Sequence, residues 1–267
     1  MRCMIRFVFV VATLAVAVAP ASGQSSRPDA IWARHTSSLT LDGVLNEAAW
    51  AAAESMIVRY PRNAGIPGSG WKEEGGVLAQ DSTYAVLKFL TVRDQLYLGA
   101  RFRDRSIGGS EDFNRFDGIL MAIKDHSVAA APKPPAEYFY SWWYPTLTDP
   151  QPPDQLPAFA GKWATWPPGT PRTQEQINAW DARTVVNGRS NTDAVADQGY
   201  TIEMRFDLAV MGYQIRRQGG DVIEWNISIY DCDWFWPLDP NRFSPNRTWW
   251  QSPWGNDAWY NEVRIHA

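Results

Sequence analysis

The sequence predicts an all-β fold: an antiparallel β-sandwich of jelly-roll or immunoglobulin-like shape, with a long insertion rich in proline and tryptophan. The first observation is a hairpin, because residues 84–90 and 95–102 are two strand-like segments joined by a short turn. The second is strict alternation of apolar and polar residues over 200–206. The third is the scarcity of helical patterns, which are confined to residues 46–55 and 207–212.

Four further segments extend the strand series. Residues 116–123 form a continuous apolar run, which is typical of a buried strand. Residues 182–186 and 223–230 alternate, and residues 262–265 supply a terminal strand. Short strands separated by turn signals, with little helix between them, favour a sandwich.

The alternation stops between residues 124 and 177. This stretch is rich in proline and contains the first of two tryptophan clusters. Because proline cannot donate to a sheet ladder, the stretch is not expected to supply regular central strands. Its aromatic content argues against disorder. We expect an ordered insertion that folds over one face of the sandwich.

The N-terminus has the layout of a secretory signal peptide. Arg2 and Arg6 precede an apolar run over 7–19, and the small residues 21–23 follow it. Cleavage near Gln24 would leave a leader over 24–38 and one sandwich domain over 39–267. No later apolar stretch approaches bilayer length, so we expect a periplasmic or extracellular protein without a membrane span.

Charge and cysteine content limit the classes of binding partner and the possible disulfides. The formal net charge is −4 and becomes more acidic when Arg2 and Arg6 leave with the signal, which argues against nucleic acid as a partner. Of the two cysteines, Cys3 lies in the signal, so Cys232 has no partner for an intramolecular disulfide in the mature chain. We expect Cys232 to be a small buried strand residue.

Tryptophan is the most unusual component, with 15 residues in a chain of 267. Two clusters lie in loop-like stretches: Trp142, Trp143, Trp163 and Trp166, then Trp234, Trp236, Trp249, Trp250, Trp254 and Trp259. A flat indole beside polar side chains can stack on the C–H face of a sugar ring while its neighbours bind the hydroxyls. The alternative is that the indoles cover a sandwich that has few helices. The clusters as a whole favour ligand contact.

Six motifs follow one another along the chain outside the insertion. They are Leu-Asp-Gly-Val-Leu-Asn-Glu-Ala-Ala-Trp at 41–50, the Leu-Tyr-Leu hairpin at 92–104, Asp117 before Gly118, Gly-Tyr-Thr-Ile-Glu-Met at 199–204, Trp-Asn-Ile-Ser-Ile-Tyr-Asp at 225–231, and the C-terminal stretch 254–265. Together they resemble family 9 carbohydrate-binding modules and their wider superfamily. The resemblance implies a jelly-roll-like sandwich that holds a sugar between two tryptophans.

The resemblance also implies where those two tryptophans should lie. The C-terminal one corresponds to Trp254, with Trp249 and Trp250 nearby. At the other place this chain has Phe-Asn-Arg-Phe over 113–116, so the ring would come from Phe113 or from Trp142 or Trp143 of the insertion. The acidic residue that usually follows Asp117 by three positions is replaced here by leucine.

Polar candidates accompany the rings at the strand ends. Asp117, Asp231 and Asp233 could accept sugar hydroxyls, and Arg115 could donate to another. No cofactor is expected. Calcium stays an option because of the oxygen ligands around 231–233, although structural turn carboxylates are the alternative. Glu203, in the middle of a strand, is expected to pair with an arginine on its own face rather than to perform chemistry.

Two other classes of protein are kept as alternatives to a secreted glycan- or polysaccharide-binding protein. A glycoside hydrolase needs two suitably spaced carboxylates, but no hydrolase motif, zinc pattern or nucleophile elbow is present in the sequence. A haem b electron-transfer protein, as in relatives of this sandwich, is less favoured because its axial ligands would have to come from residues such as Met121, Met204, Met211 or His126. A binding module would be expected to assist polysaccharide breakdown, with a separate secreted hydrolase as its partner.

Overall fold

The computed structural model describes residues 30–59, 70–75, 83–109, 115–127, 136–142, 161–166, 173–216, 218, 220–250 and 264–266. Their strands form two sheets. The larger sheet contains β1 (Ala30–Trp32), β4 (Gly70–Glu73), β7 (Gly118–Lys124), β8 (Ala136–Trp142), β9 (Gly161–Trp166), β12 (Val222–Trp234), β13 (Phe243–Trp249) and β14 (Arg264–His266). The smaller sheet contains β2 (Arg34–His35), β3 (Ser55–Arg59), β5 (Tyr84–Val92), β6 (Gln95–Arg103), β10 (Trp180–Asn187) and β11 (Gly199–Asp207).

The smaller sheet has the order β10-β11-β6-β5-β2, with β3 on β5. The predicted hairpin is confirmed, since β5 and β6 pair antiparallel from Tyr84 opposite Arg103 to Val92 opposite Gln95. Arg93 in the turn has a φ of 55°, a left-handed conformation of the kind that tight hairpin turns use. The alternating segment at 200–206 lies in β11, between β6 and β10.

The larger sheet is organised around β12, which is 13 residues long. This strand pairs with β14 at its start, with β7 in its middle and with β13 from Ser228 onward. Most pairs in both sheets are antiparallel, but β1 runs parallel to β14 and β2 runs parallel to β5. The N-terminal segment therefore contributes to both sheets within residues 30–35.

The core lies between the two sheets. Buried side chains of the larger sheet, such as Met121, Trp225 and Ile227, belong to one apolar cluster with Phe89 and Met204 of the smaller sheet. The Phe89 and Trp225 rings meet edge to face with their centroids 4.8 Å apart. The prediction of an all-β sandwich is confirmed, and the methionines considered as haem ligands on these strands are core residues.

The prediction for the insertion needs a correction. Residues 136–142 and 161–166 form the strands β8 and β9, which extend the larger sheet beyond β7 in antiparallel register. These two segments contain no proline, so nothing in their backbone prevents a ladder of hydrogen bonds. The described part of the insertion therefore widens a sheet instead of lying across a face.

Helix is scarce, as predicted. The segment 46–55 contains α1 (Ala48–Ala52), whose Trp50 is buried, and the segment 207–212 contains a 3₁₀ turn over Ala209–Met211. A second short helix, α2 (Gln174–Ile177), begins at a capping box on Thr173. Within the described ranges, no helix is long and apolar enough to cross a membrane.

The role expected for Glu203 was wrong. Its Oε2 accepts the backbone N–H groups of Asp42 and Gly43, each at 3.0 Å, so this carboxylate holds the Asp-Gly turn. The Thr201 hydroxyl donates to the Gly43 carbonyl in the same place. Gly43 has a φ of 84°, which glycine adopts without strain. Two motifs that are about 160 residues apart in sequence thus form one contact.

Candidate functional site

Asp117, the first polar candidate, is buried at the start of β7. Its Oδ2 accepts the N–H of Gly108 at 2.5 Å and its Oδ1 accepts the N–H of Cys232 at 2.8 Å. The side chain is 1% exposed. Burial, together with the nearby charges of Asp104 and Asp231, raises the pKa of Asp117 well above its usual range. Asp117 therefore joins three chain segments inside the protein and does not face a ligand in solvent.

Asp231 and Asp233 are buried as well. The Thr83 hydroxyl lies 2.5 Å from Asp231 Oδ2 and 2.7 Å from the side-chain oxygen of Asn246. Cys232 between them is fully buried, as predicted, and burial raises the pKa of its thiol. The structure corrects the sugar-binding role expected for these carboxylates, since buried groups with internal partners are not available to a glycan.

A metal-binding arrangement is not formed by these carboxylates. Within the ranges that the structure describes, no group of three or more His, Cys, Asp or Glu side chains is placed to hold a metal ion.

The aromatic candidates divide into three groups. Phe113, Trp143 and Trp254 lie outside the described residues, and Trp142 is the last residue of β8, opposite Gly118 in the register. Trp250 is a core residue: it is 3% exposed and its ring stacks on Trp225 at a centroid distance of 6.3 Å. The ligand role expected for Trp250 is corrected accordingly.

Trp249 is half-buried, one residue before Trp250 on β13, and points away from the core. It lies opposite Ser228 of β12 and Gly70 of β4. A Cβ atom on Gly70 would come within 2.6 Å of the indole, so the absence of a side chain there lets the ring lie against the strand. The glycine fixes one face of the indole and leaves part of the ring accessible.

Charged side chains continue this row on the same face of the sheet. Arg247 lies opposite Tyr230 and Lys72, and its guanidinium contacts Glu74 at 2.6 Å and the Tyr230 hydroxyl at 3.1 Å. The Lys72 ammonium contacts Glu74 at 2.8 Å. The Lys72 side chain is 58% exposed whereas that of Arg247 is 2% exposed, so the row runs from a buried ion pair to solvent. We call Trp249, Arg247, Lys72, Glu74 and Tyr230 the Trp249 row.

Arg115, the remaining polar candidate, is half-buried near the same end of the larger sheet. Its guanidinium lies over the Phe243 ring, 4.2 Å from the centroid, and Phe243 in turn packs against Trp234. A guanidinium stacked on a ring keeps N–H donors at its edges. The sugar-donor role expected of Arg115 stays a prediction.

Sequence reasoning missed Arg247, Glu74 and Tyr230. The segment 243–249 contains Pro245 and lies in a tryptophan cluster of loop-like composition, yet it forms β13. A period of two in Phe-Ser-Pro-Asn-Arg-Thr-Trp, with large side chains at 243, 247 and 249, was the available signal.

No protein-family model and no curated protein sequence matches the chain. Among solved structures it is similar to a family 9 carbohydrate-binding module from Caldicellulosiruptor kristjanssonii in complex with cellotriose, with 14% identity, a TM-score of 0.49, and coverage of 89% of this chain and 92% of that chain. A family 9 module from the same organism in complex with glucose has the same identity and TM-score, with coverage of 89% and 96%. These structures belong to the family that the sequence motifs resemble, and their sugars are properties of those modules.

Proposed function

We propose that this protein binds carbohydrate at the Trp249 row. The observation that carries the proposal is the half-buried indole of Trp249, held against Gly70 and followed on the same face by the charged groups of Arg247, Lys72 and Glu74. The indole offers a flat apolar surface for the C–H face of a pyranose. The Lys72 ammonium, whose side chain is 58% exposed, can donate to sugar hydroxyls, while the buried Glu74 and Arg247 hold it in place.

The row is also sufficiently rigid for recognition. Glu74 is held between Lys72 and Arg247, and Arg247 is further fixed by the Tyr230 hydroxyl. Preorganised side chains lose little conformational entropy when a ligand binds. Trp254, which the motif resemblance implies as a platform, would supply a second ring in this proposal.

We further propose that the protein acts outside the cytoplasm after its signal peptide is removed, and that it assists a separate hydrolase in polysaccharide breakdown. The apolar run over 7–19 behind Arg2 and Arg6 supports secretion. The sequence contains no hydrolase motif, which favours binding without catalysis.

The test compares Trp249→Ala with the core variant Trp50→Ala in the mature protein, after a glycan array has identified the best ligand. Loss of a stacking indole should remove about 1–3 kcal/mol, so that calorimetry records binding roughly tenfold weaker or more. Trp249→Phe should recover part of the affinity because it keeps a flat ring. Trp50→Ala should lower the melting temperature through a cavity while the folded fraction keeps its affinity.

Equal affinity of the parent and Trp249→Ala for the array ligand would refute the proposed site. A chain that binds nothing on an array of neutral and acidic glycans would refute the function itself.

A further inference from the structure

A groove of about 500 Å³ lies on the other sheet from the Trp249 row. It is on the outer face of the smaller sheet, between β5, β6 and the segment that contains α1. Its charged lining residues are Lys88, Arg101, Arg103 and Glu47, and its rings are Tyr84 and Trp50. A volume of this size accommodates one or two sugar rings.

The three cations are neighbours because of the strand register. Val86 pairs with Arg101, Tyr84 with Arg103, and Lys88 with Gly99, so Lys88, Arg101 and Arg103 occupy successive positions on one face of the hairpin. Like charges at such positions repel one another. They lie together in a chain whose net charge is −4, so the cluster does not follow from a generally basic surface.

Lys88 and Arg103 have partners within the protein, whereas the Arg101 guanidinium is available to a ligand. Lys88 donates to the backbone oxygen of Trp50 at 2.5 Å, and the Arg103 guanidinium lies 4.6 Å from the Tyr84 ring centroid. Glu47 accepts the N–H of Thr40. Among the residues that the structure describes, no carboxylate lies within ion-pair distance of Arg101.

The electrostatics of Lys88 favour an anion in this groove. Burial and the charge of Arg101 lower the pKa of Lys88. An anion bound between these side chains would offset the repulsion. A guanidinium matches a carboxylate with two parallel hydrogen bonds, and the half-buried apolar side chains of Leu45 and Val86 in the same groove suit the carbon framework of a sugar.

We propose that this groove binds a carboxylate-bearing sugar, such as a uronic acid residue of an acidic glycan, with Arg101 and Arg103 holding the carboxylate. This site is separate from the Trp249 row and belongs to a different sheet.

The experiment measures binding of trigalacturonate to the mature protein by calorimetry at 50 mM salt, with a neutral trisaccharide of galactose as the matched ligand. Arg101→Gln should weaken trigalacturonate binding at least tenfold. The control Arg205→Gln, which removes an arginine from β11 of the same sheet but away from the groove, should leave it unchanged. Raising the salt to 200 mM should weaken binding in the parent and have less effect in Arg101→Gln.

The proposal is overturned if the parent does not bind trigalacturonate at 50 mM salt, or if Arg101→Gln binds it as tightly as the parent does. It is also overturned if the parent binds inorganic sulfate as tightly as trigalacturonate and this binding depends on Arg101, because the groove would then be a site for free anions. Trp249→Ala separates the two sites. It should leave trigalacturonate binding intact, and a loss there with normal binding by Arg101→Gln would place the acidic sugar at the Trp249 row instead.

Discussion

The outer faces of the two sheets differ in how much of them is buried. On the smaller sheet, β5 alternates between buried and half-buried side chains over most of its length, and its outward row carries Tyr84, Val86 and Lys88. On the larger sheet, β12 is buried on both faces from Trp225 to Trp234. The first strand is half solvent-facing, whereas the second is internal.

One arginine on each sheet shows the consequence of this difference in burial. Arg247 on the larger sheet is buried and is held by Glu74 and Tyr230, because an ionised group without such partners would be too costly inside a protein. Arg101 on the smaller sheet is exposed, so water solvates it and no internal partner is required. The buried charge of Arg247 therefore contributes to structure, whereas the exposed charge of Arg101 is available to a ligand.

The largest effect is expected when a buried charge loses its partner. Arg247→Met should lower the free energy of unfolding by about 3 kcal/mol, since Glu74 would keep its charge in a buried position. Lys72→Met removes the other, exposed partner of Glu74 and should cost about 0.5 kcal/mol or less. Urea denaturation of both variants measures the two losses of unfolding free energy. Similar losses would show that burial does not make Arg247 a more stabilising partner of Glu74 than Lys72.

Glu203 is the buried exception on the smaller sheet, because the turn at 42–43 covers it. Glu203→Ala should cost about 2–3 kcal/mol, as two backbone N–H groups lose their acceptor. Glu203→Gln keeps an accepting oxygen, and burial already raises the pKa of Glu203, so the neutral amide should cost less than about 1 kcal/mol. If denaturation shows that Glu203→Gln lowers the free energy of unfolding as much as Glu203→Ala does, the charge of Glu203, and not its acceptor oxygen, holds the turn.

A smaller, pH-dependent effect is expected at the far end of the larger sheet. The hydrogen bond from His126, supported by the hydrogen bond and charge of Lys124, outweighs burial and lowers the pKa of Glu224 to about 2. The pKa in the unfolded chain is about 4.3. The stabilisation is therefore present above about pH 4.3 and is lost as the pH falls through about 2.

Glu224→Gln should consequently be less stable than the parent by on the order of 1 kcal/mol at pH 7. The difference between the two proteins should shrink between about pH 4 and pH 2. Thermal unfolding at several pH values measures it, and a difference that does not depend on pH would contradict the assignment to the charge of Glu224.

The sequence by itself determined the elements whose signals are local. The hairpin of β5 and β6 was predictable because alternation and turn chemistry act over a few residues, and the same holds for β11 and α1. The buried position of Trp50 followed from the motif that contains it. The smaller sheet was the easier one to predict, since its half-exposed strands carry the period of two most clearly.

Only the tertiary structure decided which polar side chains are inside. Nothing near Asp117 in the sequence distinguishes a carboxylate that accepts the N–H of Cys232 from one that faces a sugar. Trp249 and Trp250 are neighbours in sequence, yet strand geometry turns one outward and the other into the core. Burial depends on contacts between distant segments, such as Glu203 with Gly43, and such contacts leave no periodic signal in the chain.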